Sequence, residues 1–424
     1  MELPLWVAAE RPSFGGVKES SLRERPKAAI PLPHSKVSTR YNERMTHHPD
    51  LLIVGGGVIG LTTAWYASGL GACVTVVDQG EIGKQASWAG AGIISPVQAD
   101  WDKFRFDWDR FRGLSFALWP KLSAELREAT GIDNHFLTCG GLELPPFNDQ
   151  WANVPTEEWY LGRVRKEQVF RDRIGEIEPL LSSDIPTGAY LPDLAQVRNP
   201  RHVRALATAC ANRGVRILAD WPVLTLTRIE SRVLGVDGPR GRLLADRTLL
   251  ASGAWTDGLL KQLGLSLGVK PIRGQMVLFN TGRPGARRVL MQGSRYLVPR
   301  LDGRVLAGST EEDVGFDTST TDEAIRGLIA FAKRLVPVLA NATIETTWAG
   351  LRPGSPGGLP FLGPVPGFEN LFIAAGHFRS GLQLSPVTGL VMAQLLTGQP
   401  TSINLRGFAP GCSLPSPTQS ALGP

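Results

Sequence analysis

Cysteine is scarce in this chain: Cys73, Cys139, Cys210 and Cys412 are the four among 424 residues, and no two are spaced as CxxC. That scarcity excludes a disulfide framework and paired zinc thiolates, and it fits a reducing cytoplasm. Histidine is equally thin. The six include one close pair, His47 and His48, with no third ligand nearby, so no metal is expected. Residues 1–44 lack the apolar core of a secretory signal, and their five acidic residues do not suit an organelle transit peptide. No basic run interleaved with aromatics occurs beyond them, which argues against nucleic acid as a partner.

The net charge of +6 is unevenly placed. Residues 1–44 carry eight Lys/Arg against five Asp/Glu, so half of the excess lies there. With prolines, serines and no apolar period, residues 1–47 read as a disordered leader, and Met45 is a candidate start. The whole chain is 42% hydrophobic, and its length suggests two to three domain-sized units with large cores. Its most apolar stretch, Leu51 to Val77, is long enough to suggest a membrane span. Glycines divide it instead into strand, turn, helix and second strand, and no amphipathic anchor is evident elsewhere.

What is present begins with "DLLIVGGGVIGLTTAWYASGLGACVTVVDQG". A β-branched run is followed by Gly55, Gly57 and Gly60 in GxGxxG register, with Val58 and Ile59 opening a helix. The chemistry needs this spacing because backbone amides at a helix N-terminus must approach a pyrophosphate, and a Cβ would hold them off. Asp78, ahead of Gln79, ends the second strand where a carboxylate can accept from an adenosine ribose hydroxyl and repel a 2′-phosphate. A dinucleotide site is expected. Next, "QGEIGKQASWAGAGIISP" places Ser87, Ala91, Gly92 and Ile93 in a side-chain-poor segment against which a planar isoalloxazine can lie, favouring FAD over NAD. "RTLLASGAWT" offers Ser252, Gly253 and Trp255 after another short strand. In "NLFIAAGHFRSGLQLSPVTG" a strand leads through Gly376, His377, Arg379, Ser380, Gly381, Leu382 and Gln383 to a helix expected to start near Ser385 and Pro386. Its N-terminal amides would stabilise negative charge on a reduced flavin.

"TWAGLRPGSPGGLPFLG" holds one charge, Arg352, among apolar residues, glycine and proline. A cation in such surroundings needs an anion, supplied either by an acidic neighbour or by a ligand. A guanidinium fork would fix both the position and the twist of a small carboxylate.

These motifs, with "RGQMVLF" and "RYLVPR", together resemble the FAD-dependent D-amino-acid oxidase family, and within it most closely the glycine oxidases of thiamine biosynthesis; the likeness runs over about residues 48–400. It implies an α/β fold: a Rossmann-type FAD-binding domain in three segments, 48–120, 190–257 and 345–402, with an inserted α+β substrate domain, 121–189 and 258–344, built on a mixed or antiparallel sheet. Residues 403–424 are expected to form a flexible tail. The resemblance gives Arg352 the substrate carboxylate, makes Tyr296 its assistant, and puts Arg379 at the pocket edge. It implies oxidative deamination of glycine, and of other small primary or secondary amino acids, by hydride transfer to flavin N5, with O2 reoxidation giving H2O2. No general base is required. The imine would pass to a thiazole synthase. With no cysteine between 211 and 411, the FAD is expected to be non-covalent, and a homo-oligomer is compatible with the reading. Ile93 and Glu311 depart from the family pattern, standing where methionines are expected; the Glu311 carboxylate could attract an amine or point into solvent. A D-amino-acid dehydrogenase, a sarcosine oxidase-like enzyme, a non-catalytic flavoprotein and a tRNA-modifying oxidoreductase module are the alternatives.

Overall fold

The computed structural model of the protein describes residues 49–97, 102, 106–145, 164–283 and 285–411. The expected leader, 1–47 with Met45, lies outside the described residues, as does 412–424 of the expected tail.

The glycine-divided stretch becomes strand Leu51–Val54, helix Val58–Gly69 and strand Val74–Val77. Leu51 pairs with Val74 and Val54 with Val77 in parallel. On the other side of the first strand lies Arg247–Leu250, then Leu371–Ala375, both also parallel. Arg216–Leu218 and the antiparallel Phe361–Pro364 complete a six-stranded sheet. Because side chains alternate along a strand, Leu51 and Ile53 pack with helices Val58–Gly69, Asp107–Thr130, Asn199–Asn212 and Gly381–Leu396. Leu52 and Val54 face the opposite way, toward Trp221, Val233 and Val236. The last helix crosses the first at Gly389, where a Cβ would stand 2.5 Å from the Thr62 side chain. Burial on both faces accounts for the near-continuous apolar strands.

A second, eight-stranded sheet carries the two longest described strands, Lys270–Asn280 and Thr343–Gly354. It is mixed: Val289–Gln292 pairs with Gly141–Glu143 in parallel, while Lys270–Asn280 runs antiparallel to Thr343–Gly354 along its length. Helix Asp322–Leu335 buries Leu328, Phe331, Ala332 and Leu335 against this sheet, a spacing that lies on one helical face. Helix Asp107–Thr130 spans the boundary expected at 120, and strand Thr343–Gly354 spans the one at 344, so Arg352 belongs to the larger sheet rather than to the nucleotide-binding one.

Two expectations are corrected. Residues 403–411 are not a loose tail, because Ile403 and Phe408 are buried in the core, Phe408 with its ring 4.9 Å from that of Phe111. The last helix begins at Gly381, and Pro386 lies inside it. The proline cannot donate to the Leu382 carbonyl. The Ser385 hydroxyl donates to that oxygen instead, at 2.8 Å, so the Ser-Pro pair repairs a helix rather than starting one.

Candidate active site

The first strand ends in a turn only glycine can make. Gly55 has φ +118°, and a Cβ there would lie 2.3 Å from the Ala251 carbonyl oxygen; at Gly60 one would lie 1.9 Å from the Gly55 oxygen. Around this turn the Val58 amide donates to the Ser87 hydroxyl at 2.8 Å, and the Gly56 amide donates to Asp78 at 2.7 Å. Asp78 also accepts from the Gly80 amide, and burial pushes its carboxyl up against the pull of those two bonds. The carboxylate thus holds the loop that it was expected to serve as a ribose acceptor.

From this cradle a cavity of about 1200 Å³ runs between the two sheets. Ordinary small-molecule pockets are about 300–1,000 Å³, so it has room for a dinucleotide. Gly55, Gly57, Val58, Ile59, Asp78, Gln79, Ser87, Ala91, Gly92 and Ile93 line it, as do Ser252, Gly253 and Trp255. So do His377, Arg379, Ser380, Gly381, Leu382 and Gln383, together with Tyr296 and Arg352. Gly60 and Gly376 stand behind the wall. Gly376, expected beside the ring, instead serves a left-handed turn with φ +76° pressed on Ser355. No described cysteine lines the cavity.

Sequence reasoning missed several wall residues. Trp108 and Arg112, from helix Asp107–Thr130, both line the cavity, and the buried Trp108 Nε1 has no hydrogen-bond partner. Burial lowers the Arg112 pKa, with Asp109 opposing the shift. Arg300, the last residue of "RYLVPR", is half-buried and donates to the carbonyls of Ala91 at 2.7 Å and Val197 at 3.1 Å. It braces the glycine-alanine segment from behind, and although burial lowers its pKa to about 10 it stays cationic at neutral pH. His377 accepts or donates to Thr388 at 3.1 Å, and burial pushes its pKa down to about 3, so it is a neutral ring.

Arg352 lies flat on bare backbone. A Cβ at Gly274, the glycine of "RGQMVLF", would stand 2.2 Å from its guanidinium. The fork donates to the Ser309 hydroxyl at 2.7 Å, the Thr310 carbonyl at 3.1 Å and the Arg273 carbonyl at 3.4 Å. Among the described residues no carboxylate pairs with it. Tyr296 is buried on the same sheet and lines the same cavity, its hydroxyl 3.6 Å from the Met276 sulfur. Arg379, by contrast, is paired: its Nε donates to Glu311 at 2.7 Å and its Nη2 to the same oxygen. Glu311 therefore neither points freely into solvent nor waits for an amine.

The segment carrying Ser309 to Glu311 is fastened from beneath. Buried Arg273 donates to Glu312 at 2.9 Å, pairs with Asp317, and exchanges backbone hydrogen bonds with Glu312. The Gln275 amide donates to the Thr310 hydroxyl at 3.0 Å. Burial alone would raise the Glu312 carboxyl, but hydrogen bonds from Thr310 and Arg273 hold it below its usual range.

Residues 50–395 match the family described as FAD dependent oxidoreductase (DAO). The chain is 38% identical over 372 residues to the glycine oxidase of Pseudomonas aeruginosa, a match spanning 85% of this chain and 98% of that protein. The crystal structure of glycine oxidase from Geobacillus kaustophilus superposes with a TM-score of 0.78 at 31% identity, covering 87% of this chain and all of that one. A Synechocystis sp. protein named bifunctional ThiO/ThiG is 32% identical over 369 residues, but the match takes in only 53% of its length.

Proposed function

The chain belongs to the FAD dependent oxidoreductase (DAO) family, and on that premise we propose that it is an FAD-dependent amino-acid oxidase acting on glycine and other small primary or secondary amino acids. One observation carries the reading. Arg352 is a cationic fork held by a hydroxyl and carbonyls alone, in the wall of the same cavity that the GxGxxG turn opens. A guanidinium so placed is fixed in position yet still needs an anion.

FAD fits the residues present. Gly55, Gly57, Val58 and Ile59 would hold the pyrophosphate, Asp78 and Gln79 the adenosine end, and Ala91, Gly92 and Ile93 with His377 to Gln383 the ring end. With no cysteine among the described residues in the wall, the flavin would be held without a covalent bond. Bound there, it supplies a two-electron acceptor that oxygen can regenerate with release of H2O2. The chain's own work is binding and orientation. Arg352 grips the substrate carboxylate bidentately, which fixes the α-carbon, and the Tyr296 hydroxyl steadies that grip. Buried Met276 and Leu351 keep water from the carboxylate side. No side chain is assigned as a general base, since the amine needs only to arrive neutral.

The nucleotide-binding sheet with its helices then forms the FAD part, and the eight-stranded sheet the substrate part. Handing the imine on to a thiazole synthase is supported by the relatives in which the match occupies about half of a bifunctional protein. Among the described residues no helix is long and apolar enough to cross a membrane; a cytoplasmic enzyme with oxygen as its acceptor is the reading proposed. The test is anaerobic titration of the purified yellow protein with glycine, sarcosine and D-amino acids. Bleaching by glycine is expected; a flavin left oxidised by all of them ends the proposal.

A further inference from the structure

Ser309, Thr310 and Glu311 are consecutive, and between them they touch two of the guanidinium groups that line the cavity, those of Arg352 and Arg379. They treat the two differently. Arg352 meets a hydroxyl at 2.7 Å and a carbonyl at 3.1 Å, neither of which carries charge. Arg379 meets the Glu311 carboxylate through two of its nitrogens. Glu311, Arg352 and Arg379 all line the same cavity. A guanidinium cancelled by a carboxylate no longer draws in a second anion, and the carboxylate itself repels one.

We propose that Glu311 is a specificity-determining residue: by neutralising Arg379 it restricts the pocket to amino acids with one acid group, and loss of its charge would turn the pocket into a two-anion site that accepts dicarboxylates. The inference rests on the reading of Arg352 as the carboxylate anchor. Two features favour Arg379 as the second anchor. Its guanidinium carbon lies 5.2 Å from the Phe378 ring centroid, so the group keeps an aromatic backing when Glu311 is changed. The pair is partly exposed, 27% and 39%, so it is held weakly enough for one substitution to release the arginine.

The experiment uses the FAD-loaded enzyme and acids that cannot be oxidised, acetate and propionate against malonate and succinate, with binding read from the flavin absorbance shift and protein fluorescence. Glu311→Gln is expected to raise the dicarboxylate-to-monocarboxylate affinity ratio by about tenfold or more. Arg379→Gln, which leaves Glu311 unpaired, should move the ratio the other way. The double variant should lose the gain. An unchanged ratio in Glu311→Gln, or a gain that survives in the double variant, overturns the inference. If Glu311→Gln does not fold, Arg379→Gln decides alone, and a ratio equal to wild type overturns it. Weaker glycine binding in Glu311→Gln with no gain for dicarboxylates would mean that Glu311 serves the substrate amine instead. Glycine turnover by the wild type is measured in parallel: no peroxide from glycine, with the binding ratios as expected, would sink the proposed reaction and leave this inference standing.

Discussion

Arg352 donates to the Ser309 hydroxyl at 2.7 Å, and that bond, with two backbone carbonyls, is all that holds the guanidinium among the described residues. Its orientation is fixed by neutral groups, so its charge is unspent. Arg379, Arg273 and Arg304 each meet a carboxylate; Arg300 is held by neutral groups as Arg352 is, but of those two only Arg352 lines the cavity, where a ligand can supply the anion.

Replacing the fork is the direct test. Arg352→Ala should weaken capture of glycine and of acetate by about 2 to 5 kcal/mol, or about 30-fold to several thousand-fold. Steady-state KM and acetate inhibition both report it. A KM equal to wild type would remove Arg352 from the pocket.

Gly274 permits a subtler displacement. Its φ is not left-handed, so alanine suits the backbone, yet the added methyl would stand 2.2 to 2.5 Å from the Arg352 guanidinium. The fork must move while its charge and the fold remain. Gly274→Ala is expected to lower kcat/KM for glycine by about 100-fold, with little change in the thermal midpoint. Wild-type kinetics in that variant would show that the position of the fork does not matter.

Arg273 acts at one remove, by fastening the segment that presents Ser309, Thr310 and Glu311. Arg273→Met would leave Glu312 and Asp317 without their cation. Fully buried pairs cost about 3–5 kcal/mol when broken, and since Asp317 is half exposed a loss on the order of 2 kcal/mol is expected. Denaturant unfolding measures that loss. The freed segment should also raise KM more than it lowers kcat, a split that a purely structural role would not give.

Much of this site was legible in the chain because its parts are local. The spacing of Gly55, Gly57 and Gly60, the acid at Asp78 and the isolation of Arg352 among apolar residues are all short-range patterns with a single chemical reason. What Arg352 touches was not legible, since Ser309 and Thr310 come from about forty residues away and their approach depends on the Arg273 fastening. Gly274 looks like any strand glycine until the guanidinium is seen lying across it. Trp108 and Arg112 sit in an ordinary amphipathic helix, and nothing in "FDWDRFRGL" marks two of its residues as cavity wall. Pro386 misled for a physical reason: the rule that Ser-Pro starts a helix assumes that the freed carbonyl has no other donor, and the Ser385 hydroxyl provides one.

Acid should destabilise the fold through two histidines. Burial holds His202 and His377 at about 3, against about 6.5 in an unfolded chain. His202 Nδ1 lies 3.1 Å from the Asn134 amide nitrogen, whose partner oxygen is taken by the Phe136 amide, so the ring accepts there and protonation would break the bond. Both folded values are depressed, so the unfolded chain binds more protons as pH falls. The stabilisation is complete above about pH 6.5 and is lost as pH falls toward 3, at up to about 1.4 kcal/mol per pH unit for each ring. Unfolding free energies at pH 7.5, 6 and 5 should decline in that order, and His202→Gln should flatten the decline by about half. A profile unchanged by that substitution would mean that His202 is already charged, or not buried, in the native protein.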